Sequence, residues 1–80
     1  MKTRIRMFAG LKDFFDKEME LEVSTNATIA ELKDRLVIDR PEAKELIGLC
    51  RFACGTEFVD ETHTIQEEDT ISFLPPSSGG

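Results

Sequence analysis

Few residues in this 80-residue chain have the types and spacing that chemistry needs. The most suggestive group is not a side chain. The sequence ends Phe73-Leu74-Pro75-Pro76-Ser77-Ser78-Gly79-Gly80. Such an ending reads in one of two ways. It is a flexible linker, or it is a narrow probe whose terminal carboxylate is the working group. The remaining candidates are weaker. Cys50 and Cys54 are the two cysteines, spaced C-x3-C with no second Cys or His pair, so a zinc site is not expected. Cys50 reads as an ordinary buried thiol, and a disulfide is not expected in a reducing compartment. His63, the single histidine, sits in an acidic stretch without an evident partner and reads as a surface residue. The acidic residues show no spacing that demands a metal or a catalytic pair. Glu67-Glu68-Asp69 is either a solvated loop or a match for a basic rim on a partner. No P-loop, Rossmann or hydrolase motif is present.

Composition narrows the field. Eighty residues make one domain that buries about 60% of its unfolded surface, which leaves little room for a deep catalytic site. The net charge of -6 argues against nucleic acid, whose binding draws on clustered Lys and Arg. A membrane partner is not expected either, because no apolar run approaches the ~20 residues of a span. Met-Lys-Thr-Arg-Ile-Arg lacks the apolar stretch of a signal peptide, and the expected location is cytoplasmic.

The elements that must position the ending follow from periodicity. Thr3, Ile5 and Met7 alternate with Arg4, Arg6 and Phe8, and Met19, Leu21 and Val23 alternate with Glu20, Glu22 and Ser24. Period two gives each strand one buried face. Arginines on one strand and glutamates on the other suit antiparallel neighbours. Between them Leu11, Phe14 and Phe15 have the spacing of a short helical turn. Thr28-Ile29-Ala30-Glu31 fits a capping box, followed by a stripe of Ile29, Leu32 and Leu36. Pro41 starts a second, shorter helix with Ala43, Leu46 and Ile47 on one face and Gly48 at its stop. Residues 49–53 read as a strand, 54–55 as a turn and 56–59 as a short strand. Residues 60–69 form an acidic loop anchored by Ile65, and 70–74 the last strand, ended by Pro75 and Pro76. A helix that crosses between two parallel strands in a small mixed sheet gives an α+β fold. Its predicted form is the β-grasp, or ubiquitin-like, architecture: about five curled strands packed on one main helix. The domain spans residues 1–74, and 75–80 form a flexible tail.

Three stretches, IRMFAGLKDFF, FACGTEFV and EEDTISFLPPSSGG, run in order along nearly the whole chain. In them the sequence resembles the MoaD/ThiS family of ubiquitin-like sulfur carriers, in its molybdopterin-synthase branch. The carriers of the thiamine branch also end in Gly-Gly but typically lack the Pro-Pro. The resemblance implies that the Gly80 carboxylate is adenylated by an E1-like adenylyltransferase with ATP. With a sulfurtransferase it then becomes a thiocarboxylate, and the sulfur passes to a pterin precursor inside the large subunit of molybdopterin synthase. The protein is then a co-substrate of molybdenum cofactor biosynthesis, not an enzyme, and holds no cofactor of its own. Rival readings are a modifier joined to lysines through Gly80, a carrier for thiamine or tRNA thiolation, and an interaction domain with an inert tail.

That chemistry accounts for the ending. A carboxylate is a poor acyl donor until one oxygen becomes a leaving group, and both steps occur inside other proteins. Gly79 and Gly80 lack a Cβ and pass a narrow channel. Pro75 and Pro76 stiffen the root of the tail and reduce the entropy lost on insertion. Pro75 to Gly80 reach about 20 Å at ~3.3 Å per residue. Alternation turns Phe8 and Leu74 outward on the first and last strands, where they are expected to form a docking patch. With Pro75, Pro76, Ser77 and Ser78 they are the expected binding residues.

Overall fold

Alternation in the first strand sorts its side chains as expected: Thr3, Ile5 and Met7 are buried, while Lys2, Arg4 and Arg6 are exposed. The computed structural model describes residues 1–76. Its strands are β1 (Lys2–Met7), β2 (Glu18–Glu22), β3 (Arg51–Cys54), β4 (Glu57–Val59) and β5 (Thr70–Leu74). Two helices, α1 (Ile29–Asp39) and α2 (Lys44–Gly48), lie between β2 and β3. Short 3-10 turns occupy Ala9–Asp13 and Pro41–Ala43.

The strands form one sheet in the order β2-β1-β5-β3-β4. β1 and β5 are parallel, with Ile5 opposite Ile71 and Met7 opposite Phe73; every other pairing is antiparallel. The first and last strands are therefore central neighbours, and α1 packs across one face. This is the β-grasp arrangement. Ile5, Met7, Ile71, Phe73 and Phe52 project from the sheet into the core against Ile29, Leu32 and Leu36 of α1. Phe52 meets Phe73 edge to face, with ring centroids 5.2 Å apart, the orientation that aligns the positive ring edge with the negative ring face. Ala43 and Ile47 close the core from the α2 side, and Leu11 from the turn after β1.

The start of α1 is built as the capping pattern requires. The Glu31 N–H donates to Thr28 Oγ1 at 3.3 Å, and the Thr28 N–H donates to Glu31 Oε1 at 3.4 Å. The acidic loop completes the cap. The Ile29 N–H donates to the carbonyl of His63 and the Ala30 N–H to that of Glu61, at 3.1 and 2.9 Å. These are first-turn donors with no partner inside the helix. Ile65 is buried beneath the loop, and its N–H reaches the Ala27 carbonyl at 2.8 Å. Residues 60–69 are thus tied to the helix start.

Several boundaries shift from the sequence reading. β1 stops at Met7, because Ala9 takes a positive φ of 49° and turns the chain; Phe8 leads into the 3-10 turn. β2 runs over 18–22 rather than 19–24. Leu49 and Cys50 form the turn that closes α2 rather than the start of a strand, and their N–H groups donate to the Leu46 and Ile47 carbonyls. β3 begins only at Arg51 and includes Cys54, so the turn falls on Gly55 and Thr56. Gly55 has φ 61°, a left-handed conformation that glycine adopts at no steric cost.

Candidate functional site

Leu74 is the last residue of β5 and the root from which the chain leaves the sheet. It lies opposite Arg51 on β3. On its other side the β1 register places Met7 against Phe73, so Phe8 follows one step further along. Phe8 and Leu74 are half-buried, and both stand outside the core cluster and the hydrophobic residues packed on it. Both lie at the end of the sheet face that turns away from α1. Pro75 is half-buried and Pro76 exposed. Ser77, Ser78, Gly79 and Gly80 lie outside the described residues.

Two further groups join this face. Phe58 on β4 sits opposite Ala53 and is 63% exposed, a large ring open to solvent. The Arg51 guanidinium stacks over it, 4.7 Å from the ring centroid. Arg6 lies in the same way over Phe8, at 5.4 Å. Guanidinium over an aromatic face gains from the ring quadrupole and keeps the side chain extended. The sheet end beside the tail thus carries apolar surface with two cations spread over it. Alternation along β4, with Val59 turned in and Phe58 out, is the signal that finds Phe58 in the sequence. Arg6 and Arg51 become visible only when the register is known.

Further from the tail the same face is a charged weave. Lys2, Arg4 and Arg6 of β1 face Glu22, Glu20 and Glu18 of β2, and Arg4 Nε lies 3.5 Å from Glu18 Oε1. Both partners are about half exposed, so this pair adds little stability. It holds the arginine row in place beside the apolar end.

The cysteines and the histidine differ from expectation. Cys50 is half-buried, with Sγ 3.3 Å from the Leu46 carbonyl. Burial pushes its thiol up to about 11, only partly offset by the Lys33 charge. Cys54 is on the inner side of β3 with Phe52, not in the turn. His63 is not an unpartnered surface residue: its Nε2 is 3.3 Å from Asp69 Oδ2, and its side chain is 28% exposed. One group of possible metal ligands that linear spacing does not show also comes together among the described residues. Cys54, His63 and Asp69 bring one ligand atom each within 4.8 Å of one another. Linear spacing concealed this, because the three come together only when β5 pairs with β3. No helix among the described residues is long and apolar enough to cross a membrane.

The ThiS family model matches residues 5–80. The molybdopterin synthase sulfur carrier subunit of Arabidopsis thaliana is 26% identical over 78 residues, covering 98% of this chain and 76% of that protein. Among solved structures, the complex of subunits 1 and 2 of molybdopterin-converting factor from Helicobacter pylori contains a chain that is 25% identical. It superposes with a TM-score of 0.72 and is covered in full, as is this chain. The small archaeal modifier protein 1 of H. volcanii is 17% identical with a TM-score of 0.81, over 94% of this chain and 97% of that one; that likeness is one of fold.

Proposed function

The chain belongs to the ThiS family, and from that premise we propose that it carries sulfur on Gly80 for the building of molybdopterin. The observation that carries the reading is the family match running through to Gly80, joined to a relative that is itself a molybdopterin synthase sulfur carrier subunit. In this reading the Gly80 carboxylate attacks the α-phosphorus of ATP in an E1-like enzyme, displaces pyrophosphate and becomes an acyl adenylate. AMP then leaves as a sulfurtransferase-derived sulfur bonds to the same carbon. The resulting thiocarboxylate enters the large subunit of the synthase and gives its sulfur to the pterin precursor.

The body's part is docking. Phe8, Leu74 and Phe58 are the apolar anchors, and Pro75 and Pro76 aim the tail from the edge of that patch. Arg6 and Arg51 already cover ring faces, so their cost of ordering on binding is reduced. Large aromatic and Arg side chains are the types that dominate interface energetics. The globular part supplies affinity, and the tail supplies the reacting carbon.

The test is intact mass of the protein isolated from its native host, and again after reaction with activating enzyme, ATP and a sulfur donor. The expected product is heavier by the difference between a sulfur and an oxygen atom, with Gly80 as the last residue. A protein that stays at its unmodified mass with active partners overturns the reading. The shared fold with small archaeal modifier protein 1 favours a second reading, conjugation of Gly80 to lysines. A ladder of heavier, Gly80-dependent species in host extracts would put that reading first.

A further inference from the structure

We propose that Cys54, His63 and Asp69 form a binding site for a zinc-like divalent cation, at the end of β5 opposite the tail. The argument starts from where the three come from. Cys54 ends β3, His63 lies in the loop that caps α1, and Asp69 immediately precedes β5. Their ligand atoms lie within 4.8 Å of one another, and His63 Nε2 is 3.3 Å from Asp69 Oδ2. Ligands about 2.0–2.3 Å from a tetrahedral zinc sit about 3.3–3.8 Å apart. The imidazole–carboxylate edge already has that length, and the thiol needs a shift of at most about 1.2 Å to complete the face.

All three ligands stand on constrained backbone. Cys54 is paired on both sides, with Glu57 of β4 and Ile71 of β5. The His63 carbonyl accepts from the Ile29 N–H at 3.1 Å, and its own N–H donates to Asp60. Asp69 Oδ2 accepts from the Gln66 N–H at 2.8 Å, and its carbonyl accepts from the buried Thr3 hydroxyl at 3.3 Å. A site held on rigid supports needs little reorganisation to close on an ion.

The donor set selects the class of ion. One sulfur, one imidazole nitrogen and one carboxylate oxygen suit zinc, not the oxygen-seeking magnesium or calcium. Three protein ligands leave a fourth corner for water. A divalent ion takes Cys54 as the thiolate, because metal binding deprotonates a coordinating thiol. On binding, the Cys54 S–H bond breaks and an S–Zn bond forms, with the proton released to water. The imidazole gives up the Nε2 proton that faces Asp69 Oδ2 in the metal-free site and carries its proton on Nδ1 instead, which frees Nε2 for the metal. Zinc affinity therefore rises with pH.

Such an ion clips the β3–β4 hairpin, the helix-capping loop and the start of β5 together. It lies about 17 Å from Leu74, at ~3.3 Å per strand residue, so it stands apart from the docking face and does not depend on the carrier reading. The test uses the full chain, stripped with chelator and titrated with Zn2+ or Co2+ alone. One equivalent is expected, with a near-ultraviolet thiolate-to-cobalt charge-transfer band and a melting temperature that rises with zinc but not with magnesium. Loss of an outer partner of a metal ligand costs roughly 10–100-fold in affinity, so Cys54→Ser and Asp69→Asn are expected to cost at least about a hundredfold. Cys50→Ser keeps the band and the affinity. No binding at micromolar metal overturns the proposal, as does a spectrum without the thiolate band or binding that survives Cys54→Ser in a variant with native circular dichroism.

Discussion

At the scale of single residues, the two faces of the sheet divide the labour. Phe73 and Phe8 are one strand and one register step apart, yet Phe73 is fully buried and Phe8 stands outside the core. Truncating an interface anchor typically costs at least ~2 kcal/mol of binding, and each ~1.4 kcal/mol is tenfold. Phe8→Ala is therefore expected to weaken binding to the synthase large subunit about thirtyfold or more, with little change in melting temperature. Calorimetric titration beside a thermal melt checks both halves. A large drop in melting temperature with unaltered affinity would mean the ring works in the core. The thiols give a second residue-scale prediction. Cys50 and Cys54 are each raised from 9.0 to about 11, both by burial first. A pKa raised by folding means that the folded state holds the proton more tightly. The stability this contributes is full below pH 9 and is lost as pH rises through about 11. Thiolate absorbance followed against pH is expected to titrate near 11 in the folded, metal-free protein and near 9 in denaturant. Coincident curves would remove the effect.

At the scale of elements, legibility tracks how local the cause is. The capping box at Thr28 and the stripe of Ile29, Leu32 and Leu36 rest on residues three or four apart, and both stand in the structure as read. Alternation likewise assigned the inner faces of β1, β2 and β5. The boundary between α2 and β3 was not legible. Leu49 and Cys50 are apolar in either element, and only the carbonyls of Leu46 and Ile47 hold them to the helix. The Cys54–His63–Asp69 group was hidden for a related reason, because its proximity arises from strand pairing and loop docking rather than from spacing. The acidic loop read as polar chain anchored by Ile65, and its residues carried no sign that its backbone completes the α1 cap. That double cap yields a prediction. Replacing a Thr N-cap with Ala costs about 1 kcal/mol, and in a domain of this size that shifts the melting temperature by roughly 4–8 °C. Thr28→Ala is expected to fall in that range, and amide exchange in residues 61–65 to quicken with it, since loop and helix start share hydrogen bonds. A drop in melting temperature with unchanged exchange in the loop would show that the two caps are independent.

At the scale of the whole molecule, stability and reactivity occupy different parts of the chain. The core is assembled from residues 5–73, while the reacting carbon in the proposed cycle belongs to Gly80. The proposed anchors Phe8, Phe58 and Leu74 stand on the sheet face that turns away from α1, outside the core cluster. Removing Gly80 is therefore expected to leave the melting temperature unchanged, because the core cluster among the described residues is built from residues 5–73. Affinity for the large subunit should fall only modestly, since Phe8, Leu74 and Phe58 are still present to be buried. Sulfur transfer should vanish. The shortened tail presents its carboxylate on Gly79, one residue or about 3.3 Å short, and proximity of that order governs reaction rate far more steeply than binding. Adding a residue after Gly80 should have the same effect, because the carboxylate is then displaced the other way. The measurement is a reconstituted synthase assay run beside titration and melting of the same two variants. Molybdopterin formed at the unaltered rate by either variant would show that the last carbon is not where the sulfur is carried. Lost binding in both would place the recognition energy in the tail rather than in the sheet face.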